Sequence, residues 1–311
     1  MSRSLITIYC LLITVLIASC SPIPQTEVAG HVDLNDLQPL PTPEGYEAVP
    51  LRVAVAAVIS PKGTVESYAP FLSYLEEKLN RPVELIQKRT YLEVNDLIEH
   101  GEVDVAFVCT SAYIQGHDTF GMELLAAPQV NNKTIYNSYL IVPAESKAQS
   151  MSDLRGKVFA FTDPISLSGR VYPTYLVQEL GFTPEEFFGR TFYTYSHDEA
   201  IRAVASGVAD GAAVDSLVYE YAIARDPSLA EKVKVIHRSP DFGIPPVVVS
   251  PFTRPQVKAD LQTLLLTMAD DPASREALAS IGVERFVLID DNAYDSVRSL
   301  VGVIPASIVQ P

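Results

Sequence analysis

The most informative polar residues form a serine-rich turn between an apolar stretch and a helix. The stretch 157–161 is typical of a buried strand, and the turn after it contains Ser166, Ser168 and Gly169. The first backbone N–H groups of a helix have no partner within the helix, and the helix dipole is positive there. With two added hydroxyls, these groups predict an anion site, and Gly169 permits close approach of the backbone. The alternative is simple N-capping, for which one serine suffices.

Four other polar side chains follow predicted strands. His197, within the run Ser-His-Asp, opens a helix and either donates a hydrogen bond to a ligand or caps the helix. Asp215 either caps the next helix or accepts a hydrogen bond from a protonated ligand oxygen. Thr110 and Ser111 add two hydroxyls with weaker support. Cys109, which precedes them, has no obvious base nearby in sequence and is interpreted as a small buried thiol.

Motifs for other chemistries are absent from the sequence. The five histidines form no HExxH motif, and there is no Cys/His pattern with zinc spacing. No GxSxG elbow, phosphate-binding P-loop or GxGxxG motif occurs either. We therefore expect no catalytic residues, no metal and no cofactor, and a protein that is not an enzyme.

Strands and helices alternate along the chain in the pattern of apolar residues. The predicted strands are 51–58, 83–87, 103–109, 157–161, 192–195, 210–214, 233–237 and 247–250. The predicted helices are 68–79, 91–100, 169–180, 197–206, 216–225, 256–268, 273–281 and 291–302. This order predicts an α/β protein with mainly parallel sheets, in which ligands bind beyond the carboxyl ends of the strands.

The first twenty residues are typical of a lipoprotein signal peptide. Arg3 precedes the apolar stretch 5–18, which is too short to span a bilayer comfortably. The stretch ends in Ile-Ala-Ser-Cys, which resembles the lipobox of bacterial lipoproteins and predicts lipidation of Cys20. The alternative is an ordinary signal peptide with a chance cysteine. Residues 21–50, which contain six prolines, are predicted to form an extended tether.

Composition limits the partners of the folded part, about 51–311. The chain has a net charge of −15 and no basic runs, which argues against nucleic acids and against attraction to anionic lipid. Of the three cysteines, Cys10 lies in the signal peptide and Cys20 is the predicted lipid site. Cys109 alone remains, so we expect no disulfide within the mature chain.

Several stretches together resemble the periplasmic phosphonate- and phosphite-binding proteins of ABC importers. The serine-rich turn combined with the downstream Ser-His-Asp is the most specific of them. The other matching stretches are 68–79, 101–107, 135–142, 153–157 and 239–251. The resemblance covers about 51–300, nearly the whole folded part, and implies the type II periplasmic-binding fold.

The resemblance also implies a ligand set. Two tyrosines of the family's first lobe correspond to Tyr91 and Tyr136. The turn, histidine and acidic contact of the second lobe correspond to Ser166 and Ser168, to His197, and to a position near Asp215. The turn usually reads Ser-Thr-Ser-Gly, but here its middle residue is Leu167, which removes one hydroxyl donor.

The implied architecture is two lobes joined by a hinge. Lobe 1 is expected to comprise 51–142 and 247–311, lobe 2 to comprise 143–246, and the hinge to lie near Val142-Pro143 and Pro245-Pro246. We expect a monomeric, lipid-anchored receptor, in the periplasm or on the outer face of the cytoplasmic membrane. It would deliver a small tetrahedral phosphorus oxyanion to an ABC permease. The alternatives are a sensory receptor and a binder of another small anion or organic acid on the same fold, and neighbouring permease and ATPase genes would separate transport from sensing.

Overall fold

The structure is a computed structural model that describes residues 49–302. The predicted signal peptide, Cys20 and all but the last two residues of the predicted tether lie outside the described residues. Within 49–302, no helix has both the length and the apolar character needed to cross a membrane.

The first of two large sheets has six strands in the order β13-β4-β12-β3-β1-β2. Its strands β1, β2 and β3 are mutually parallel, whereas β12, β4 and β13 are added antiparallel. Their bounds are β1 Leu51–Val55, β2 Val83–Gln87, β3 Val105–Phe107, β4 Glu123–Gln129, β12 Val247–Val249 and β13 Arg285–Val287.

The second sheet repeats this plan with five strands, in the order β10-β6-β9-β7-β8. Strands β8, β7 and β9 are parallel, and β6 and β10 are antiparallel. Their bounds are β6 Ser138–Pro143, β7 Val158–Phe161, β8 Arg190–Tyr193, β9 Gly211–Asp215 and β10 Val233–Arg238. The expected parallel arrangement therefore holds for three strands of each sheet, and antiparallel strands complete both.

Helices cover the sheets in the α/β arrangement that the alternating pattern predicted. They are α1 Pro61–Leu79, α2 Tyr91–Glu99, α3 Thr110–Phe120, α4 Tyr172–Glu179, α5 Pro184–Phe187, α6 His197–Ala205, α7 Ser216–Arg225, α8 Leu229–Lys232, α9 Pro255–Thr267, α10 Arg275–Ser280 and α11 Asp295–Gly302. A short π-helical segment, Leu167–Val171, leads into α4.

Helix α1 begins earlier than the sequence predicts. Pro61 occupies its first turn, where a fixed φ and a missing N–H are tolerated. Pro70, the third residue of the predicted helix 68–79, therefore lies inside the helix and not in its first turn. The helix continues through it because Phe71, Tyr74 and Leu75 are buried in the core, which offsets the lost backbone hydrogen bond.

A two-stranded ribbon connects the regions of the two sheets. It pairs β5, Ile135–Tyr136, with β11, Phe242–Gly243. The following strand β6 lies wholly in the second sheet, whereas the expected boundary after residue 142 places it in lobe 1. The first crossing thus precedes residue 138 and differs from the expected position at Val142-Pro143. The continuous apolar run of β6 satisfies either sheet, so its composition does not reveal which sheet it joins.

The carboxyl edges of the two sheets face each other. The backbone N–H of Tyr91 donates to Asp163 Oδ2 at 3.0 Å, which joins the start of α2 to the loop after β7. Ser60 donates from its backbone and its hydroxyl to the Asp198 carboxylate, both at 2.7 Å. The N–H of His197 donates to the Val58 carbonyl at 2.9 Å. These contacts enclose the residues between the two edges, and we call the region between the edges the cleft.

Candidate ligand-binding site

The two serines of the turn have different surroundings. Ser166 caps the π-helical segment, because its Oγ accepts from the Gly169 N–H at 3.1 Å. Ser168 is 1 % exposed, and its Oγ has no hydrogen-bond partner within the described residues. The capping interpretation of the sequence therefore holds for Ser166. Ser168 does not cap the segment, and its role as an anion donor stays a prediction.

Glycine at position 169 is required by packing rather than by a ligand. A Cβ built there lies 1.8 Å from Thr162 Oγ1, far inside any permitted contact. Thr162 follows β7 and donates its backbone N–H to the Gly169 carbonyl at 3.3 Å. The close approach that we expected at Gly169 thus brings the turn against Thr162.

His197 is held as a neutral donor. Its Nδ1 accepts from the Asp215 backbone N–H at 3.0 Å, so the ring proton lies on Nε2. Nε2 lies 3.5 Å from Ser166 Oγ. Burial lowers the pKa of His197 to about 3. The imidazole therefore contributes a hydrogen bond at neutral pH and no positive charge.

Asp215 uses only one of its two carboxylate oxygens to cap a helix. Its Oδ1 accepts from the N–H groups of Leu217 and Val218 at 2.7 and 3.4 Å, at the start of α7. Within the described residues, Oδ2 has no recorded hydrogen bond. Burial raises the pKa of this carboxyl to about 7, although the two N–H bonds oppose the shift. Both roles considered from the sequence are compatible in one side chain.

The two tyrosines present unpaired hydroxyls from the other side. Tyr91 is 0 % and Tyr136 is 2 % exposed, and neither hydroxyl has a partner within the described residues. Burial first, and then nearby acidic groups including Asp215, raise the pKa of both phenols well above the usual value. Tyr136 lies on the connecting ribbon, and Asp163 holds the backbone of Tyr91.

The hydroxyls of Thr110 and Ser111 are already occupied. Thr110 Oγ1 donates to the Gly243 carbonyl at 2.8 Å, and Ser111 Oγ donates to the Ile165 carbonyl across the cleft. Neither can donate its hydroxyl proton to a ligand in this arrangement. Their roles are to fix the start of α3 and to join the two sides.

Two hydroxyls outside the sequence-predicted set also lack partners. Thr162 Oγ1 and Ser196 Oγ are buried, and neither has a hydrogen bond within the described residues. Both residues come directly before or within motifs that the sequence singled out. Their place just after β7 and β8 is the feature that identifies them, because strand ends in parallel sheets converge on ligands.

A cavity lies beside these groups. Its volume is about 360 Å³, and it reaches Asp215 but contains neither the serines nor His197. Its lining is mostly apolar, with Tyr68, Phe107 and Pro246 among the residues. We define the site by its buried donors, since an oxyanion needs hydrogen bonds more than apolar surface. No group of three or more potential metal-ligating side chains exists among residues 49–302.

The fold and the donor-lined cleft define a class of protein, the periplasmic-binding proteins of type II. A binding component of an ABC phosphonate transporter from Pseudomonas aeruginosa is similar, with a TM-score of 0.76, 23 % identity, and coverage of 81 % of this chain and 85 % of that one. The family model described as "ABC transporter, phosphonate, periplasmic substrate-binding protein" matches residues 53–294. The chain belongs to this family, whose members are substrate-binding transport components rather than enzymes.

Two other relatives are described with a specific ligand or substrate. PhnD1 from Prochlorococcus marinus, solved with methylphosphonate, has a TM-score of 0.72 and 18 % identity, covering 80 % of this chain and 96 % of that one. The phosphate-import protein PhnD of Mycolicibacterium smegmatis is 28 % identical over 211 residues. That match covers 64 % of this chain and 65 % of the relative, so less than two thirds of the relative is spanned.

The raised pKa of Asp215 predicts a pH-dependent stability without ligand. Between its usual pKa and about 7, the folded state holds a proton that the unfolded state has lost, so stability falls as pH rises. His197 acts in the opposite sense and, near its unfolded pKa of about 6.5, still offsets part of the decline, whereas the raised pKa of Asp163 adds slightly to it. From pH 6.5 to 8, we expect the free energy of unfolding to fall by roughly 0.5 kcal/mol in urea titrations.

Asp215→Asn should nearly abolish this decline, because an amide does not titrate. The exposed aspartate Asp260, changed to Asn, is the matched control and should retain the wild-type slope. An unchanged slope in Asp215→Asn would show that another group is responsible.

Proposed function

We propose that this chain is a lipid-anchored receptor that binds a small phosphorus oxyanion and delivers it to an ABC importer. The observation that carries the proposal is a set of buried hydroxyls on both sides of one cleft, which have no hydrogen-bond partner in the described part of the chain. Ser168 contributes from the second sheet, and Tyr91 and Tyr136 contribute from the first sheet and the ribbon. A buried hydroxyl without a partner costs about 1–3 kcal/mol, and an oxyanion would satisfy several at once.

The chemistry of these groups favours a tetrahedral anion. Hydroxyls and the neutral Nε2–H of His197 donate hydrogen bonds, and bonds to a charged acceptor are stronger than neutral ones. The family membership and the methylphosphonate bound to the Prochlorococcus protein support phosphorus as the central atom. The mycobacterial relative is named for phosphate import, so the choice among phosphorus oxyanions is a separate question.

We propose that the two sides separate at the connecting ribbon. Lobe 1 would carry the first sheet and lobe 2 the second, with the hinge at β5 and β11 and the segment leading to Pro245-Pro246. The bonds from Ser60 to Asp198 and from Ser67 to Tyr221 would close the lobes over the ligand. Opening breaks these few contacts and gives the ligand access.

Removing the hydroxyl of Ser168 should weaken the binding of every anion. Ser168→Ala should reduce the binding free energy by about 1–3 kcal/mol for methylphosphonate, phosphite and phosphate alike, because the lost hydrogen bond does not involve the fourth substituent on phosphorus. Isothermal titration calorimetry of the full chain measures this. Ser206→Ala removes an exposed serine hydroxyl from the end of α6 and should leave each affinity unchanged.

The same titrations test the proposal itself. Failure of the wild-type chain to bind any of the three anions would refute the proposed ligand class. If Ser168→Ala and Ser206→Ala lost the same affinity, Ser168 would not be part of the binding site.

Asp215 should discriminate against sulfate. A carboxylate accepts a hydrogen bond but cannot donate one, so one proton must lie between its free oxygen and the ligand. Methylphosphonate can supply that proton near neutral pH, whereas sulfate cannot. At pH 8 we expect sulfate to bind at least about 100-fold more weakly, which corresponds to about 2.7 kcal/mol.

Asp215→Asn should reduce the ratio of methylphosphonate affinity to sulfate affinity, because an amide can also donate a hydrogen bond. Competition calorimetry with sulfate and methylphosphonate measures the ratio in both proteins. A ratio that is the same in both would contradict the role given to Asp215.

Anchoring is tested at the N-terminus. In Cys20→Ala, we expect the chain to lose its lipid and to leave the membrane fraction, or to remain unprocessed. Mass spectrometry and detergent phase partitioning detect the lipid. Cys10→Ala is the matched control within the same signal peptide and should be lipidated normally. Membrane retention of an unlipidated wild-type chain would refute the anchor.

A further inference from the structure

The thiol of Cys109 lies among the ligand-facing groups rather than in the interior of one lobe. Cys109 comes directly after β3, at the N-cap of α3, and is 3 % exposed. Its Sγ lies 3.8 Å from Ser111 Oγ, whose hydroxyl reaches across the cleft to Ile165. Cys109 packs in the same buried cluster as Tyr91, Tyr136 and Leu167, residues that come from both sides of the cleft.

Two unpaired hydroxyls, those of Tyr91 and Tyr136, lie near this sulfur. The hydroxyls of Tyr91 and Tyr136 and the Oγ of Ser168 are all at least 98 % buried and have no partner within the described residues. After burial, Cys109 is the strongest of the neighbours that raise the pKa of both tyrosines. The backbone N–H groups of Leu167 and Ser111 also face the sulfur. The thiol therefore lies beside the two tyrosine hydroxyls, in the buried cluster that also contains Leu167.

A thiol is unlike these hydroxyl groups. Its S–H is a weak donor and its sulfur a weak acceptor, and it packs as a small, polarisable apolar group. The neighbouring turn residue is Leu167, which is fully buried and brings no hydroxyl. One part of the wall is therefore apolar, while the rest donates hydrogen bonds.

This division matches a tetrahedral phosphorus with three oxygens and one apolar substituent. Resting on the proposed function, we propose that Cys109 is a specificity-determining residue that favours oxyanions with a P–H or P–CH₃ group over phosphate. The three oxygens meet the hydroxyls and His197, and the fourth substituent packs against the sulfur. Phosphate instead places its fourth oxygen against a group that cannot satisfy it.

A role for Cys109 as a nucleophile fits less well. Burial raises the pKa of the thiol, despite the opposing effect of the nearby backbone N–H groups. A reactive cysteine needs a stabilised thiolate and access for its target. Contact with a ligand substituent requires no thiolate.

The pair of substitutions Cys109→Ser and Cys109→Ala tests the proposal. Both replace the sulfur with a smaller group, but only serine adds a strong donor. We expect Cys109→Ser to raise the affinity for phosphate relative to that for methylphosphonate by about tenfold, which corresponds to about 1.4 kcal/mol. Calorimetry on the full chain measures both affinities. Cys109→Ala should leave the preference for methylphosphonate within about threefold of wild type.

The outcomes separate the two proposals. If wild type binds none of methylphosphonate, phosphite and phosphate, the proposed function fails, and the role of Cys109 fails with it. If wild type binds them but the phosphate-to-methylphosphonate ratio is the same in Cys109→Ser, only the role of Cys109 is refuted. An equal shift in both variants would indicate altered packing and would also refute it.

Chemical enlargement of the thiol gives a second measurement that does not depend on either variant folding. In the ligand-free full chain carrying Cys10→Ala and Cys20→Ala, at alkaline pH and with the cleft open, methyl methanethiosulfonate converts the Cys109 thiolate to a methyl disulfide, and methanesulfinate leaves. The added S–CH₃ should lower the affinity for methylphosphonate at least about fivefold more than the affinity for phosphite, because the P–H group of phosphite needs less room. Equal effects on both anions would overturn the proposal.

Discussion

Burial of hydroxyls that have no hydrogen-bond partner among residues 49–302 is the constraint on which this structure depends. Five residues hold such groups: Tyr91, Tyr136, Ser168, Thr162 and Ser196. Each would form hydrogen bonds with water if the cleft opened, so enclosure without a ligand is costly. The contacts that close the cleft are few and mostly polar, such as those of Ser60 with Asp198. A ligand that pairs the hydroxyls changes the balance toward closure.

Rigid supports keep these donors in place. The backbone of Asp215 holds the imidazole of His197, and the carboxylate of Asp163 holds the backbone of Tyr91. Asp163 is buried, and its pKa is raised to about 6 by that burial, despite two backbone N–H bonds. The side chain of Thr162 fills the space left by Gly169. Each donor is thus positioned by a second residue, and the strands themselves only bring these pairs to one edge.

Sequence reasoning predicted the candidate site from residues at strand ends. The serine turn, His197 and Asp215 follow β7, β8 and β9 in an alternating pattern, and parallel sheets gather such positions. Tyr91 and Tyr136 came from the family resemblance, since an isolated tyrosine carries no local pattern. The sequence could not divide the roles of Ser166 and Ser168, because capping depends on which hydroxyl meets the Gly169 N–H.

Long-range pairing explains the other differences. Thr110 and Ser111 appeared available as donors, but their hydroxyls bind carbonyls of Gly243 and Ile165, far away in sequence. Cys109 appeared inert because its local sequence offers no base, whereas its neighbours in the cleft come from other segments. Strand β6 joins the second sheet although its composition suits either one. These features depend on contacts across the fold, and periodicity does not report them.

The neutral state of His197 has a consequence for release. Because its Nδ1 accepts from the Asp215 backbone and burial keeps the ring uncharged, the donors identified around the ligand space are dipoles rather than cations. Under the proposed function, an anion held by dipoles would leave without the separation of an ion pair. Once the cleft opened, incoming water would replace the hydroxyls and the imidazole one hydrogen bond at a time. Dissociation would then be governed by rehydration of the anion, so a transporter that merely holds the lobes apart would suffice to empty the site.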